Sequence, residues 1–184
     1  SREKQAFRMA LQPREQHIRR EKANSNICTA QVLLANIAAL YAMYHGPRGI
    51  KKIASRIHRL ATILAQGLEQ SGLTIANENY FDTITVNIPA DKVQALTERC
   101  TLAGVNLRMD RLKEHGTASI SIDECTSEKD IDRLWQVLLA NDSEKLSVST
   151  IDAAITQGEI APVIPDKLIR QSDYLQHPIF SRYH

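Results

Sequence analysis

The sequence predicts an α+β protein in which long helices pack on a sheet of three or four strands. Between residues 26 and 71, apolar side chains recur at steps of three and four, which is the period of a helix. From residue 81 onward the pattern changes to alternation, which is typical of strands, and helix-like runs separate the alternating segments. The predicted order is helix, helix, strand, helix, strand, strand, helix, all within residues 26–141.

The composition is that of a globular protein without a dominant charge. Of its 184 residues, 43% are hydrophobic and 24% are charged, which is ordinary for a globular chain. Such a length supports one domain, or one domain of about 140 residues with an extended tail. The 23 basic and 21 acidic side chains leave a net charge of +2, so no overall field attracts nucleic acid or a membrane. We expect neither as a partner, and any electrostatic role must be local.

The cysteines and histidines predict neither a disulfide framework nor a metal site. Cys28, Cys100 and Cys125 are odd in number and form no Cys-x-x-Cys pair, and the six histidines are scattered. No apolar run has the length of a membrane span, and the first residues lack the pattern of a signal peptide. These features predict a soluble protein of a reducing compartment.

Residues 1–25 are predicted to be a lead-in segment with a short edge strand, because Phe7, Met9 and Leu11 alternate before Pro13. A dense group of cations follows, offset only by two glutamates: Arg14, His17, Arg19, Arg20 and Lys22. Two interpretations fit this group. It is either a solvated face leading into a helix, or a surface that holds an anion or an acidic partner, since clustered arginines focus positive potential and bind carboxylates with two bonds.

Two helices are predicted next, at about 26–45 and 47–71. The first follows the potential N-cap residues Asn24 and Ser25 and is apolar almost all round, which predicts that it is buried in a larger body or in an interface. Gly46 and Pro47 separate the two helices, since glycine suits a helix end and proline a helix start. In the second helix one face is regularly apolar from Ile50 to Leu68, opposite a basic face.

The remaining elements alternate in type. Strands are predicted at about 81–88, 105–109 and 118–123, and helices at about 91–103 and 127–140. Ser127 and Asp130 open the last helix as a variant of the capping box. If the first two of these strands are parallel, their connection must be right-handed.

Periodicity fades beyond residue 141. Pro162, Pro165, Pro178 and Gly158 interrupt sparse apolar residues, so 142–184 is predicted to be an extended tail or linker without a core of its own. Because the chain begins without a methionine and ends without a helix stop or turn, we expect it to be a piece of a longer protein.

The residues alone identify no catalytic, cofactor-binding or metal-binding residue. There is no glycine-rich phosphate loop, no Gly-x-Ser-x-Gly turn and no His-Glu-x-x-His. Asp123 and Glu124 end a strand beside Cys125, but carboxylates there commonly cap the following helix, which begins two residues later.

Several motifs nevertheless resemble one enzyme family. They are the run Arg14-Glu-Gln-His-Ile-Arg-Arg-Glu-Lys-Ala-Asn-Ser-Asn-Ile-Cys-Thr29, Leu33-Leu-Ala-Asn36, Tyr44-His-Gly-Pro47, Tyr80-Phe-Asp-Thr83, Asn106-Leu-Arg108, Gly116-Thr117, Ser121-Ile-Asp-Glu124 and His177-Pro-Ile-Phe180 with Tyr183-His184. Together they resemble the P-protein of the glycine cleavage system, a decarboxylating glycine dehydrogenase. The resemblance spans nearly the whole chain. Pro13 departs from it, since the family usually has threonine there, and residues 142–163 follow no familiar pattern.

The resemblance implies an enzyme with two related halves of the pyridoxal phosphate fold type I. This chain resembles the small C-terminal domain of the first half with the start of the linker between the halves. The cofactor lysine belongs to the second half, so the implied fragment binds no pyridoxal phosphate and is inactive by itself. The implied parent reaction is the decarboxylation of glycine, followed by transfer of the aminomethyl group to the lipoyl arm of the H-protein.

The implied partners are the lipoylated H-protein and the other half and large domains of the same enzyme, in a homo- or heterodimer. The implied location is the cytoplasm in bacteria or the mitochondrial matrix in eukaryotes. Within this frame the five cations from Arg14 to Lys22 are candidate interface or active-site-mouth residues. An alternative from a different class is a stand-alone α+β binding or dimerisation module, including an RNA platform. A sheet that binds RNA requires exposed aromatic side chains on its strands, and the predicted strands offer only Phe81 beside Tyr80.

Overall fold

A computed structural model describes residues 29–111 and 115–182. The chain forms two compact units, one of residues 1–46 with 177–184 and the other of residues 47–176. The predicted lead-in strand within residues 1–25 lies outside the described residues.

The longest element in the described part of the chain is helix α1, Thr29–Gln70, which is interrupted at Gly46. Gly46 has φ 61° and ψ 177°, a backbone conformation that glycine adopts without the steric cost of a side chain. Pro47 follows in the helix, where its fixed φ suits a first turn. We call residues 29–45 the N-terminal arm of α1 and residues 47–70 its C-terminal arm. The two arms correspond to the two helices predicted at about 26–45 and 47–71.

Four strands form one antiparallel sheet in the described part of the chain: β1 Thr74–Ile75, β2 Thr83–Pro89, β3 Arg108–Arg111 and β4 His115–Ser121. Their order is β1-β2-β4-β3, and each neighbouring pair is antiparallel. Strands β2 and β3 therefore run in the same direction with β4 between them. The predicted α+β fold class is confirmed.

Three further helices accompany the sheet within the described residues: α2 Val93–Leu102, α3 Glu128–Leu139 and α4 Val148–Gln157. A 3₁₀ turn, Ala90–Lys92, leads into α2, and others lie at Ala140–Lys145, Asp166–Leu168 and Pro178–Ser181. At the start of α3 the Asp130 carboxylate accepts hydrogen bonds from the backbone N–H and the hydroxyl of Ser127, at 2.8 and 2.6 Å. These bonds lower the pKa of Asp130.

The core lies between one face of the sheet and the C-terminal arm of α1, α2 and α3. The sheet contributes Ile84, Val86, Ile88, Ala118 and Ile120, and Ile122 follows β4 directly, all at most 3% exposed. Trp135 of α3 is buried against the C-terminal arm, and its indole N–H donates to the Leu64 carbonyl at 3.1 Å. A β-carbon at Gly67 would lie 2.5 Å from Trp135 Nε1, so only glycine lets the ring approach this closely.

The structure differs from the prediction after residue 141. Residues 142–184 were expected to lack a core, but α4 lies within them and buries Val148 and Ile151 with the main core. Ser147 accepts a hydrogen bond from the Thr150 backbone as N-cap, and Gly158 ends the helix with φ 77°. The apolar spacing of Val148, Ile151 and the half-buried Ile155 is helical, but the run is too short to stand out among the following prolines.

Candidate functional site

The predicted site residues Arg14, His17, Arg19, Arg20 and Lys22 lie outside the described residues. The structure instead describes three other surfaces that sequence reasoning treated only in part. One belongs to the N-terminal arm of α1, and two belong to the unit of residues 47–176.

The N-terminal arm of α1 exposes an unusual amount of apolar surface. Seven large side chains are between 37% and 69% exposed: Val32, Leu33, Leu34, Ile37, Leu40, Tyr41 and Tyr44. The sequence has no Asp, Glu, Lys or Arg from Thr29 to Tyr44. Contiguous exposed apolar surface of this kind is typical of a site that contacts another protein, a membrane or a ligand.

The arm is apolar around almost its whole circumference. At about 100° per residue, the seven large side chains occupy one wide arc of the helix. The opposite arc carries mainly alanines, at positions 35, 38, 39 and 42. Small residues let another backbone approach closely, whereas large ones fill a groove. The arm therefore suits a helix that is enclosed on both sides, as the sequence predicted for it.

The second surface is the face of the sheet opposite the core. Hydroxyl groups pair across its two central strands, Thr83 with Ser121 at 2.9 Å and Thr85 with Ser119 at 3.0 Å. Asn87 lies opposite Thr117 in the same register. These six side chains are short and uncharged, so they can accept or donate hydrogen bonds to a closely packed layer.

The charges of this face lie on the edge strand β3. Arg108 is the register partner of Ser119, and its Nε lies 3.2 Å from the Asp110 carboxylate. Both side chains are more than half exposed. An exposed pair of this kind contributes little stability, so the edge remains available for other contacts.

The third surface is formed by two loops at one end of the sheet, which side chains of α1 hold in place. Arg56 donates to the carbonyl oxygens of Glu124 and Thr126, at 3.3 and 2.7 Å. His58 Nδ1 lies 2.8 Å from the Phe81 carbonyl oxygen, and the two rings are stacked with centroids 5.9 Å apart. Sequence spacing cannot reveal these contacts, because the partners are 23 to 70 residues apart.

Asp123 belongs to one of these loops and acts as a turn residue. Its Oδ1 accepts hydrogen bonds from the backbone N–H groups of Cys125 and Thr126 and from the Thr126 hydroxyl. These bonds lower the pKa of Asp123 and keep it ionised. The arrangement agrees with the interpretation of Asp123 as a local cap and gives it no role as a proton donor.

A cavity of about 420 Å³ lies between the C-terminal arm of α1 and the segment around α4. Arg59 forms its polar wall: Arg59 Nε donates to the Asp152 carboxylate, and Nη2 donates to the Asp152 carbonyl oxygen at 2.8 Å. The hydrogen bond from Arg59 lowers the pKa of Asp152, and the same bond raises the pKa of Arg59. Tyr80 lies next to His58 of the same arm, and burial raises the pKa of Tyr80 to about 12.

The described residues do not fit a pyridoxal phosphate site. The cofactor is held by a lysine amine that is placed in a pocket. The described lysines are all exposed, and none lines the cavity beside Arg59: Lys51, Lys52, Lys92, Lys129, Lys145 and Lys167. Within residues 29–111 and 115–182 no group of three His, Cys, Asp or Glu side chains could hold a metal ion. In the same part of the chain no helix is both long and apolar enough to cross a membrane.

Taken together, these features indicate the class of protein to which the chain belongs. An α+β layer that leaves an apolar helix arm and a polar sheet face exposed is typical of an interface domain of a larger protein. The family model described as Glycine cleavage system P-protein matches residues 1–138, and the chain belongs to this family.

Named relatives agree with this assignment. The glycine dehydrogenase (decarboxylating) of Serratia proteamaculans (strain 568) is 52% identical over 179 residues, 97% of this chain. The enzymes of the same name from Sodalis glossinidius (strain morsitans) and Yersinia pestis (strain Pestoides F) are 52% and 51% identical over the same length. In each case the matched region is 18% of the relative, so the chain spans less than a fifth of the proteins it resembles.

Proposed function

We propose that the chain is a structural and interface domain of a glycine-decarboxylating P-protein. The observation that carries the proposal is the charge-free N-terminal arm of α1, whose large side chains are exposed in a chain that spans 18% of its relatives. Burying a leucine or isoleucine side chain contributes about 1.5–3 kcal/mol. Enclosing the arm in further polypeptide therefore provides a large driving force for assembly.

The parent enzyme would use pyridoxal phosphate to decarboxylate glycine and would pass the aminomethyl group to the lipoyl arm of the H-protein. The cofactor would supply the electron sink for the decarboxylation. The described lysines are exposed, so none of them is placed to hold the cofactor. The domain would instead support the part of the enzyme that holds pyridoxal phosphate. The bacterial origin of the relatives named above supports a cytoplasmic location.

The interface role of the N-terminal arm of α1 can be tested in the full-length enzyme. Replacing Leu33 and Leu40 together by Asp would place two charges on the apolar arm. We expect loss of the native oligomer or of soluble enzyme, measured by light scattering, together with loss of glycine decarboxylation. The matched control replaces Leu102 and Leu168 by Asp, because both are exposed leucines outside the arm. An effect of equal size in both double variants would contradict an interface role for the arm.

The cations of the lead-in segment are tested by a second set of variants. If Arg14, Arg19 and Arg20 form part of an interface or of the mouth of an active site, their replacement by Ala will weaken assembly or lower turnover. Unchanged assembly and turnover would leave them as a solvated face. His17 and Lys22 are the flanking positions to replace next.

The competing function, a stand-alone dimerisation module, uses the same exposed arm differently. It requires the isolated 184-residue chain to form a defined dimer. A monomer, or an undefined aggregate that the Leu33→Asp and Leu40→Asp changes dissolve, would favour the domain of a larger enzyme.

A further inference from the structure

The C-terminal arm of α1 carries a cationic face that the proposed function does not use. Its members are Arg48, Lys51, Lys52, Arg56 and Arg59, and no acidic residue occurs between Pro47 and Leu68. At about 100° per residue they lie within roughly 140° of the helix circumference. We call these five residues the cationic face.

Most of this charge has no counterion within the described part of the chain. Arg48, Lys51, Lys52 and Arg56 are exposed, and none of them forms an ion pair with a described residue. Arg56 donates to the carbonyl oxygens of Glu124 and Thr126, which do not neutralise a full charge. Among the described residues, the carboxylate paired with the face is that of Asp152, which binds Arg59.

The position of the cations is unfavourable for the helix itself. Because Gly46 interrupts α1, the C-terminal arm begins at Pro47, and its first turns carry Arg48, Lys51 and Lys52. Cations near a helix N-terminus oppose the helix macrodipole, which favours Asp and Glu there. Like charges three and four residues apart also repel one another. A face that served only for solubility would gain stability from mixed or acidic residues, so this pattern indicates an external anionic partner.

The cavity beside Arg59 continues the cationic face. The helix contributes Ser55, His58, Arg59 and Thr62 to its lining. The far wall is apolar and includes Ile155, Ile160, Pro162 and Val163. Arg59 is fixed from behind by Asp152, and its Nη1 has no partner among the described residues. The volume of about 420 Å³ can accept one large apolar side chain or a small ligand.

We propose that the cationic face and this cavity form a docking site for an acidic polypeptide segment of a partner protein. Carboxylates of the segment lie on Arg48, Lys51, Lys52 and Arg56, and one apolar side chain enters the cavity beside Arg59. Charge complementarity and the apolar far wall favour this occupant. Single-stranded nucleic acid binds by stacking its bases on aromatic rings, and the cavity lining contains none besides the His58 imidazole. The proposal does not depend on the reaction that the parent enzyme catalyses.

The test uses the full-length enzyme that contains this chain, together with fluorescent peptides. One peptide alternates glutamate and serine around a central leucine, and a second has serine in place of the leucine. Binding is followed by fluorescence anisotropy at low and at physiological salt. We expect the double change Lys51→Glu and Lys52→Glu to weaken binding of the leucine peptide about 10-fold or more at low salt, where ion pairs are least screened.

The matched control is the double change Lys92→Glu and Lys129→Glu. It alters the net charge equally, and both lysines also lie at the start of a helix. The Tm of both double variants is measured to verify that each is folded, and only the first should weaken binding. Equal weakening in both variants would reduce the site to nonspecific charge attraction and overturn the proposal.

The cavity is tested by Ala161→Phe, which fills it from the far wall without changing a charge. This variant should bind the leucine peptide no better than the serine peptide, while the wild type prefers leucine by about 5-fold or more, in keeping with burial of one side chain. Equal affinity of the wild type for both peptides would contradict a role for the cavity. Tighter binding of an oligouridine than of either peptide would assign the face to nucleic acid instead.

Discussion

At the scale of single residues, Gly67 is the position where a small change would disturb the core most directly. A β-carbon there would lie 2.5 Å from Trp135 Nε1, inside van der Waals contact. Replacing glycine by alanine in a helix normally stabilises it by about 1 kcal/mol, but overpacking a dense core costs about 1–3 kcal/mol. We expect Gly67→Ala to lower the free energy of unfolding, measured by urea denaturation.

The second variant in this test is Trp135→Leu, which removes the ring that Gly67 accommodates. It is itself destabilising, because it opens a cavity and leaves the Leu64 carbonyl without the indole N–H. In its background Gly67→Ala should become neutral or stabilising. If the alanine change costs as much with leucine at 135 as with tryptophan, the contact between Gly67 and Trp135 is not the cause.

Ala140 presents the opposite case, a residue where glycine would fit better. Its φ of 54° and ψ of −123° form a backbone conformation that is nearly exclusive to glycine. Ala140→Gly should raise the free energy of unfolding by about 1 kcal/mol, since relieved strain exceeds the added entropy of the unfolded chain. The matched control is Ala153→Gly inside α4, where the same chemical change should lower stability by a similar amount. A loss of stability at both positions would contradict strain at Ala140.

At the scale of elements, α4 is held to α1 by a contact that depends on pH. The pKa of Asp152 is lowered from its ordinary value of 3.8 by the hydrogen bond from Arg59. A carboxyl whose pKa is lower in the folded state stabilises the fold above its unfolded pKa and loses this contribution as pH falls through its folded pKa. Both side chains are over a third exposed, so the contribution is at most about 1 kcal/mol.

We therefore expect Asp152→Asn to lower the protection of α4 amides against hydrogen exchange at pH 6 by up to about 5-fold. Below pH 3.8 the difference from the wild type should shrink as the wild-type carboxyl becomes protonated. Glu159→Gln, an exposed position just beyond α4, serves as the control and should leave protection unchanged at both pH values. A difference that persists in acid would show that packing, and not the ion pair, holds α4.

At the scale of the whole molecule, the sequence predicts those parts of the fold that local periodicity determines. The buried positions Ile84, Val86 and Ile88 of β2 follow from alternation alone, and the C-terminal arm of α1 follows from its apolar spacing. The order of the strands depends on pairs such as Thr85 and Ser119, which are 34 residues apart and have no local signal. Strand β1 has two residues, too few for any period to be detected.

The surfaces were predictable to different degrees for the same physical reason. A charge-free run and a basic helix face are local patterns, and both are visible in the sequence. The carbonyl contacts of Arg56 and the pairing of Arg59 with Asp152 require knowledge of which distant segments meet. Sequence reasoning therefore placed Arg56 and Arg59 on the basic face of the second helix and left their structural partners unknown.

The interruption at Gly46 has a consequence for the behaviour of the chain in water. On its N-terminal side α1 has no formally charged side chain through Tyr44, and on its C-terminal side five cations follow within 13 residues of Gly46. Most helices divide polar from apolar residues around their circumference. Helix α1 also divides polar from apolar residues along its length, with the charge-free arm before Gly46 and the cations after it. The isolated chain is consequently expected to behave as an amphiphile that clusters through residues 29–45 and keeps the exposed cations of its C-terminal arm in solvent.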